Sequence, residues 1–273
     1  MAGPPPAICR GTAERPGLRR FLLSLICGVI AVAATKAATM PAGRAFDEDA
    51  PVPLTPDFIR FFDKLALTED YGPFNNRPPW VRKWAGPVKV VLDERAEILR
   101  AEIEDLLARI TRWTDLPFTV MPPGASAVPD AWNVINVKLF SRVSFQRLYK
   151  TRDVVCQTET HGLGGLLQVG YMVLSEGFTD CLKHEFMHAL GFDSHWYPKT
   201  GSEIRSVLAY RDSSARAEDY SPWDIMAIRI LYDRRIHAGM NREKSLSIAH
   251  EVIRGRPQSA ALPVQAASGS AFR

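Results

Sequence analysis

His184 and His188, with Glu185 between them, are the side chains of this sequence best suited to chemistry. On a helix each residue turns about 100° from the last, so residues four apart stack on one face and two imidazoles there reach one cation. Zinc hydrolases hold their metal in this way. Glu185 lies beside the pair, within reach of a water on the cation but poorly placed to ligate with them, which is the position of a general base. Measured round the helix from Leu182, Phe186, Ala189 and Leu190 fall close together, whereas His184 and His188 fall on the far side. The segment therefore offers an apolar stripe to a core and a separate stripe to a metal. Thr179 is expected to cap the helix, Asp180 to favour its first turn, and Gly191 to close it in a left-handed conformation. The alternative is an ordinary amphipathic helix with two solvated histidines.

The full string from His184 to His195, HEFMHALGFDSH, resembles the metzincin clan of zinc metallopeptidases, whose pattern is HExxHxxGxxH (or D). In that clan the glycine turns the chain and a third ligand follows the helix. Here the pattern's third-ligand position holds Ser194, with Asp193 one residue earlier and His195 one later. A one-residue insertion in the turn delivers His195, the expected third ligand, with Asp193 in reserve. Downstream, Ser206-Val207-Leu208-Ala209-Tyr210 resembles the S-x-M-x-Y segment that underlies the metal in these enzymes. Leu208 replaces the methionine, an apolar swap of similar volume. The resemblance implies for Tyr210 a place at the zinc or beside the reaction intermediate. The alternative is that Val207, Leu208 and Tyr210 form a short core segment without metal contact. Ser221 to Tyr232 is similar to the S-x-x-D-I-x-x-I-x-x-L-Y helix that ends many metzincin catalytic domains. The blocks Trp80-Val81-Arg82-Lys83-Trp84, Cys181, His188-Ala189-Leu190-Gly191, Leu231-Tyr232-Asp233 and Gly239-Met240 also resemble an uncharacterised family of bacterial secreted domains.

The elements that must position these residues read as follows. Thr55-Pro56 starts a helix with Phe58, Phe61, Phe62 and Leu65 on its buried face. Val88 to Leu92, apolar but for Lys89, reads as a strand, as in a sheet covered on both faces. Asp93 caps a long helix over 94–113, with Leu99, Ile103, Leu106, Leu107 and Ile110 at helical spacing. Phe118 to Met121 and Val134 to Phe140 are further strands; residues 157–165 are polar and glycine-rich, and Leu166 to Leu174 is a strand leading to the metal helix. Ser221-Pro222-Trp223-Asp224 opens a helix with a near capping box. Asn241 caps a last helix that runs to Ile253. Together with the resemblance, this order implies an α+β, zincin-like fold. It has a mixed twisted sheet, a long backing helix and an active-site helix, followed by a small, mostly helical C-terminal subdomain.

Of 273 residues, 46% are hydrophobic and 23% charged, enough apolar material for a proper core. The net charge of +4 is modest, and no basic run carries interleaved aromatics, so a nucleic-acid partner is not expected. Arg15, Arg19 and Arg20 precede the apolar run Phe21 to Ala34, and Thr35-Lys36-Ala37 offers small residues before a cut. Residues 1–37 thus read as a signal peptide, with an uncleaved N-terminal anchor as the alternative. Residues 38–54 read as a linker, 55–254 as the metallopeptidase domain and 255–273 as a disordered tail. Signal removal leaves Cys156 and Cys181 as the remaining pair. In an oxidising compartment they are expected to form a disulfide worth ~3 kcal/mol by loop entropy; two buried thiols are the alternative. His161, His237 and His250 read as surface or loop residues.

The resulting expectation is a secreted or periplasmic zinc-dependent endopeptidase acting on peptide or protein substrates. His184, His188 and His195 hold Zn²⁺, Glu185 is the base, and Tyr210 stabilises the oxyanion. No stable membrane insertion is expected unless the N-terminal segment stays uncleaved. Two alternatives stand beside it: a non-catalytic envelope protein on the same scaffold that binds a peptide or cell-wall component, and a zinc site that only holds the fold.

Overall fold

The computed structural model describes residues 56–68, 80–123, 132–150, 154–210 and 213–254. The signal, linker and tail expected at 1–37, 38–54 and 255–273, and Thr55 as a cap, lie outside them. Helix α1 (Pro56–Leu67) begins with proline, whose missing N–H has no partner to lose at a first helical position, and fully buries Phe58, Phe61, Phe62 and Leu65. Strand β1 (Val88–Leu92) buries Val88, Val90 and Leu92 on one face, while the other carries Val91 beside an exposed Lys89, so the expected burial on both faces is incomplete. It pairs in parallel with β2 (Phe118–Met121) on one side and β3 (Val134–Phe140) on the other. Asp93 at its end accepts from Ala96 N at 2.7 Å and from Leu139 N at 3.4 Å. The first turn is thereby pinned to the neighbouring strand and winds as a 3₁₀ turn (Ala96–Leu99) before helix α2 (Arg100–Thr114) begins. The single helix expected over 94–113 is split at that point.

A short helix α3 (Arg142–Tyr149), capped by Ser141, precedes strands β4 (Cys156–Leu163) and β5 (Leu166–Ser175). The sheet order is β2-β1-β3-β5-β4, with β4 antiparallel to β5 at one edge. β4 occupies most of the stretch read as polar and glycine-rich. An edge strand with one solvated face needs few apolar residues, and its order comes from the ladder to β5. After the 3₁₀ turn Thr179–Cys181 comes helix α4 (Leu182–Ala189), and α5 (Pro222–Leu231) and α6 (Arg242–Arg254) complete the chain. Among the described residues one five-stranded mixed sheet and six α-helices make an α+β fold.

The capping box read at Ser221 and the Asn241 cap are both present: Asp224 N donates to Ser221 Oγ at 3.2 Å, and Lys244 N donates to Asn241 Oδ1 at 2.9 Å. Helix α5 buries Ile225, Met226, Ala227, Ile228, Ile230 and Leu231, hence nearly its whole circumference, in the core that also takes in α1, α2 and the sheet. The C-terminal helices thus share one packing unit with the sheet rather than forming a subdomain with its own interior. A disulfide joins Cys156, the first residue of β4, to Cys181, with 6.6 Å between Cα atoms. It ties the edge strand to the turn that enters the helix carrying His184 and His188.

Candidate metal centre

Helix α4 is short and its ends are held from outside. Thr179, expected as its cap, does not cap it: the chain leaves β5 through Gly177, at φ 81°, so tightly that Thr179 already lies in the 3₁₀ turn. The α-helix starts at Leu182 without a side-chain cap. At the other end the last carbonyls, which have no partner within a helix, are taken up by side chains from distant segments. Trp84 Nε1 donates to Ala189 O at 2.8 Å, and the Tyr232 hydroxyl donates to Leu190 O at 2.9 Å. Gly191 turns the chain away at φ 109°, the glycine exit read from the sequence. Leu182, Phe186, Ala189 and Leu190 are fully buried, and the histidines take the other face.

His184, His188 and His195 form a group able to hold a metal ion. Their ring centroids make a nearly equilateral triangle of 4.8, 4.9 and 5.1 Å. His184 Nε2 lies 3.2 Å from the Nε2 of His188 and 3.2 Å from that of His195. Two ligands bound at 2.0–2.1 Å to a tetrahedral centre stand about 3.3–3.4 Å apart, so this spacing suits such an ion. The tautomers agree. His184 Nδ1 donates to Val207 O at 2.7 Å and His188 Nδ1 to Phe192 O at 2.6 Å. Carbonyls only accept, so Nδ1 carries the hydrogen in both, and a ring in its neutral form presents its lone pair at Nε2. Burial, followed by the neighbouring His188 and His195, pushes the His184 pKa well below its ordinary 6.5 and keeps that ring neutral. Lone pairs facing one another at this distance repel unless a cation stands between them. The donor set therefore fits a divalent metal, with imidazole ligands common to zinc, copper, iron and nickel.

The displaced third histidine has a structural explanation. Ser194, at the pattern's ligand position, is fully buried and donates to Thr68 O at 2.5 Å. Asp193, the reserve ligand, is excluded by its own ion pair: both its oxygens lie 2.7 Å from Arg82 Nη1. Trp196 N donates to Leu208 O at 3.0 Å, while its indole packs edge-on against Phe61 at 5.1 Å. Held on both sides in this way, the residue between them turns its ring to the other two imidazoles.

The SVLAY segment contributes as backbone and as ring. Val207 O accepts the hydrogen bond from His184 Nδ1, Leu208 is fully buried, and the Tyr210 ring lies 4.9 Å from that of His195. Beneath it, Asp224 accepts from Ser206 Oγ at 2.6 Å, Val207 N at 3.2 Å and Ser221 N at 3.0 Å. Burial still pushes its pKa up from 3.8 to about 6 against the pull of those donors. Folding thus takes up a proton on Asp224 between those values; its contribution is full below pH 3.8 and is lost as pH rises through 6. Roughly two units at 1.4 kcal/mol each make about 3 kcal/mol. Asp224→Asn, with no charge to bury, should flatten that part of the stability–pH curve by chemical denaturation; an unchanged slope would remove the assignment.

Glu185 is 4% exposed, and its Oε2 makes no hydrogen bond. Burial pushes its pKa up to about 7, while the nearby Thr158 hydroxyl and the Arg216 charge pull it down. A divalent cation beside it would lower it further. Glu185, the three histidines, Tyr210, Arg82 and Arg216 line one cleft of about 710 Å³, with β4 along its side. His161 stands exposed on that strand, and His237 and His250 are surface residues. Arg82 and Arg216 carry no sequence signal of a site role beyond two adjacent charges, Arg82 and Lys83, set between the buried Val81 and Trp84. Compared with known protein families, with curated proteins and with solved structures, the chain matches none. Among the described residues no helix is long and apolar enough to cross a membrane.

Proposed function

We propose that the protein is a zinc-dependent endopeptidase of the metzincin type, working outside the cytoplasm on peptide or protein substrates. The observation that carries this reading is the convergence of three Nε2 atoms beside a buried carboxylate on the wall of an open cleft. His184, His188 and His195 would hold the metal. Zn²⁺ bound there supplies Lewis-acid chemistry, polarising the scissile carbonyl and acidifying a water molecule. Glu185 accepts the proton of the attacking water and passes it to the leaving amine. Tyr210, whose ring packs tilted against that of His195, is assigned the developing oxyanion. The backbone carbonyls of Val207 and Phe192 fix the tautomers of His184 and His188. A metal that only holds a fold is closed by four protein ligands, whereas among the described residues three histidines converge here, which supports an open position for substrate or water.

Metal analysis of the purified protein and a quenched-peptide library, each with and without chelator, test the proposal. About one zinc per chain is expected, with cleavage that chelation removes and zinc restores. Protein without metal removes the site. Bound metal without hydrolysis of any peptide leaves the non-catalytic, peptide-binding envelope protein as the reading.

A further inference from the structure

Around the cleft most charged side chains are accounted for. Arg82 and Asp193 neutralise one another at 2.7 Å. Glu159 and His161 stand 3.9 Å apart on the exposed side of β4, and Asp180 is exposed in the 3₁₀ turn. Arg216 is different. It is half-buried and lines the cleft together with His184 and Glu185, yet its guanidinium has no ion pair or hydrogen bond among the described residues. Its charge nevertheless reaches both neighbours, lowering the pKa of Glu185 and of His184.

The backbone directs Arg216 into the cleft. Ser206 N donates to Ala215 O at 2.9 Å and Ala217 N donates to Ser206 O at 3.0 Å, so the segment runs strand-like beside the SVLAY turn. Ser206 is itself anchored to Asp224 through its hydroxyl. Ala215 and Ala217 are each 6% exposed, and side chains alternate along such a segment. The side chain between the two buried alanines therefore faces the opposite way, and its attachment is rigid. A partly desolvated guanidinium held this firmly presents a planar fork of donors that matches a carboxylate in bidentate fashion.

We propose that Arg216 sets specificity by binding a carboxylate of the peptide substrate, either an Asp or Glu side chain or a free C-terminus. The identity of the ligand rests on the peptidase reading; the anion preference is measured separately from turnover. Otherwise identical short peptides carry Glu or Gln at each position in turn, with a free or an amidated C-terminus. Their binding to the full protein, to Arg216→Ala and to Arg216→Lys is measured by calorimetry or fluorescence anisotropy. The acidic form should bind roughly ten- to a hundredfold tighter to the unaltered protein. Arg216→Ala should abolish that difference with its metal content unchanged, and Arg216→Lys should restore part of it. The arm that responds tells a side-chain carboxylate from a terminal one. No acid preference in the unaltered protein, no binding of acidic peptides at all, or a preference that survives Arg216→Ala overturns the proposal. A protein that selects acidic peptides through Arg216 but cleaves none keeps it and removes the peptidase reading.

Discussion

Replacing Glu185 with Gln is expected to cut peptide hydrolysis by about 10²–10⁴-fold while leaving the metal in place. The two side chains have nearly the same shape, so the packing around a residue only 4% exposed is preserved. What changes is the ability to take a proton. Glu185 sits beside His184 and His188 on α4 with one oxygen making no hydrogen bond, an arrangement that costs stability and that a purely structural residue would not need. Removing a buried ionisable group also removes its desolvation cost, so the variant should melt no lower than the unaltered protein. Metal analysis and a quenched peptide read the two effects independently. Hydrolysis at the unaltered rate would show that the proton goes elsewhere, and loss of metal would show that Glu185 ligates it.

The parts of this fold legible in the sequence are those whose pattern is local. Phe58, Phe61, Phe62 and Leu65 recur at helical spacing, and all four are buried. Val88, Val90, Val91 and Leu92 read as a buried strand and are buried, whereas Lys89 within it is exposed. β4 does not read as a strand: it lies at an edge, most of its residues keep some exposure, and its partner β5 supplies its order. α3 escapes for a similar reason, since Phe145 is its one buried residue and leaves no periodicity to detect. The helix start at Leu182 rather than after Thr179 depends on how sharply Gly177 turns, which a list of capping preferences does not contain.

The site divides in the same way. His184, Glu185 and His188 are visible because a helix brings residues four apart together whatever surrounds it. His195 comes from the resemblance plus an inserted residue, and its arrival depends on Ser194 reaching Thr68, 126 positions away. Arg82 meets Asp193 across 111 positions, and Arg216 owes its direction to Ser206 and Asp224. Contacts of that range leave no spacing to read, although they decide that Asp193 is a partner of Arg82 and not of a metal.

Gly191→Ala should cost about 3–5 kcal/mol of stability and weaken metal binding by about 10–100-fold. Two effects combine. The backbone there is at φ 109°, which an L side chain adopts at a cost of about 1–2 kcal/mol. An added Cβ would also stand 2.1 Å from Arg82 O and 2.9 Å from Arg82 C, and backbone atoms cannot rotate aside. Nor can the segment retreat: Val81 N donates to Met240 O, Lys83 N to Gly165 O, and Lys83 O accepts from Leu167 N. The Arg82 side chain is bonded to Asp193 and to Thr160 as well. The turn after α4 must therefore yield, and that turn carries His195. Gly177 supplies the control, since at φ 81° it has the same conformational demand but nothing within 4 Å of an added Cβ. Gly177→Ala should lose only the conformational part, about 1–2 kcal/mol, with metal binding intact. Denaturation curves and metal titrations of the two variants, set side by side, isolate the contact with Arg82. Equal losses would mean that the glycine exit is needed for its dihedral alone and that Arg82 does not hold the third imidazole in place.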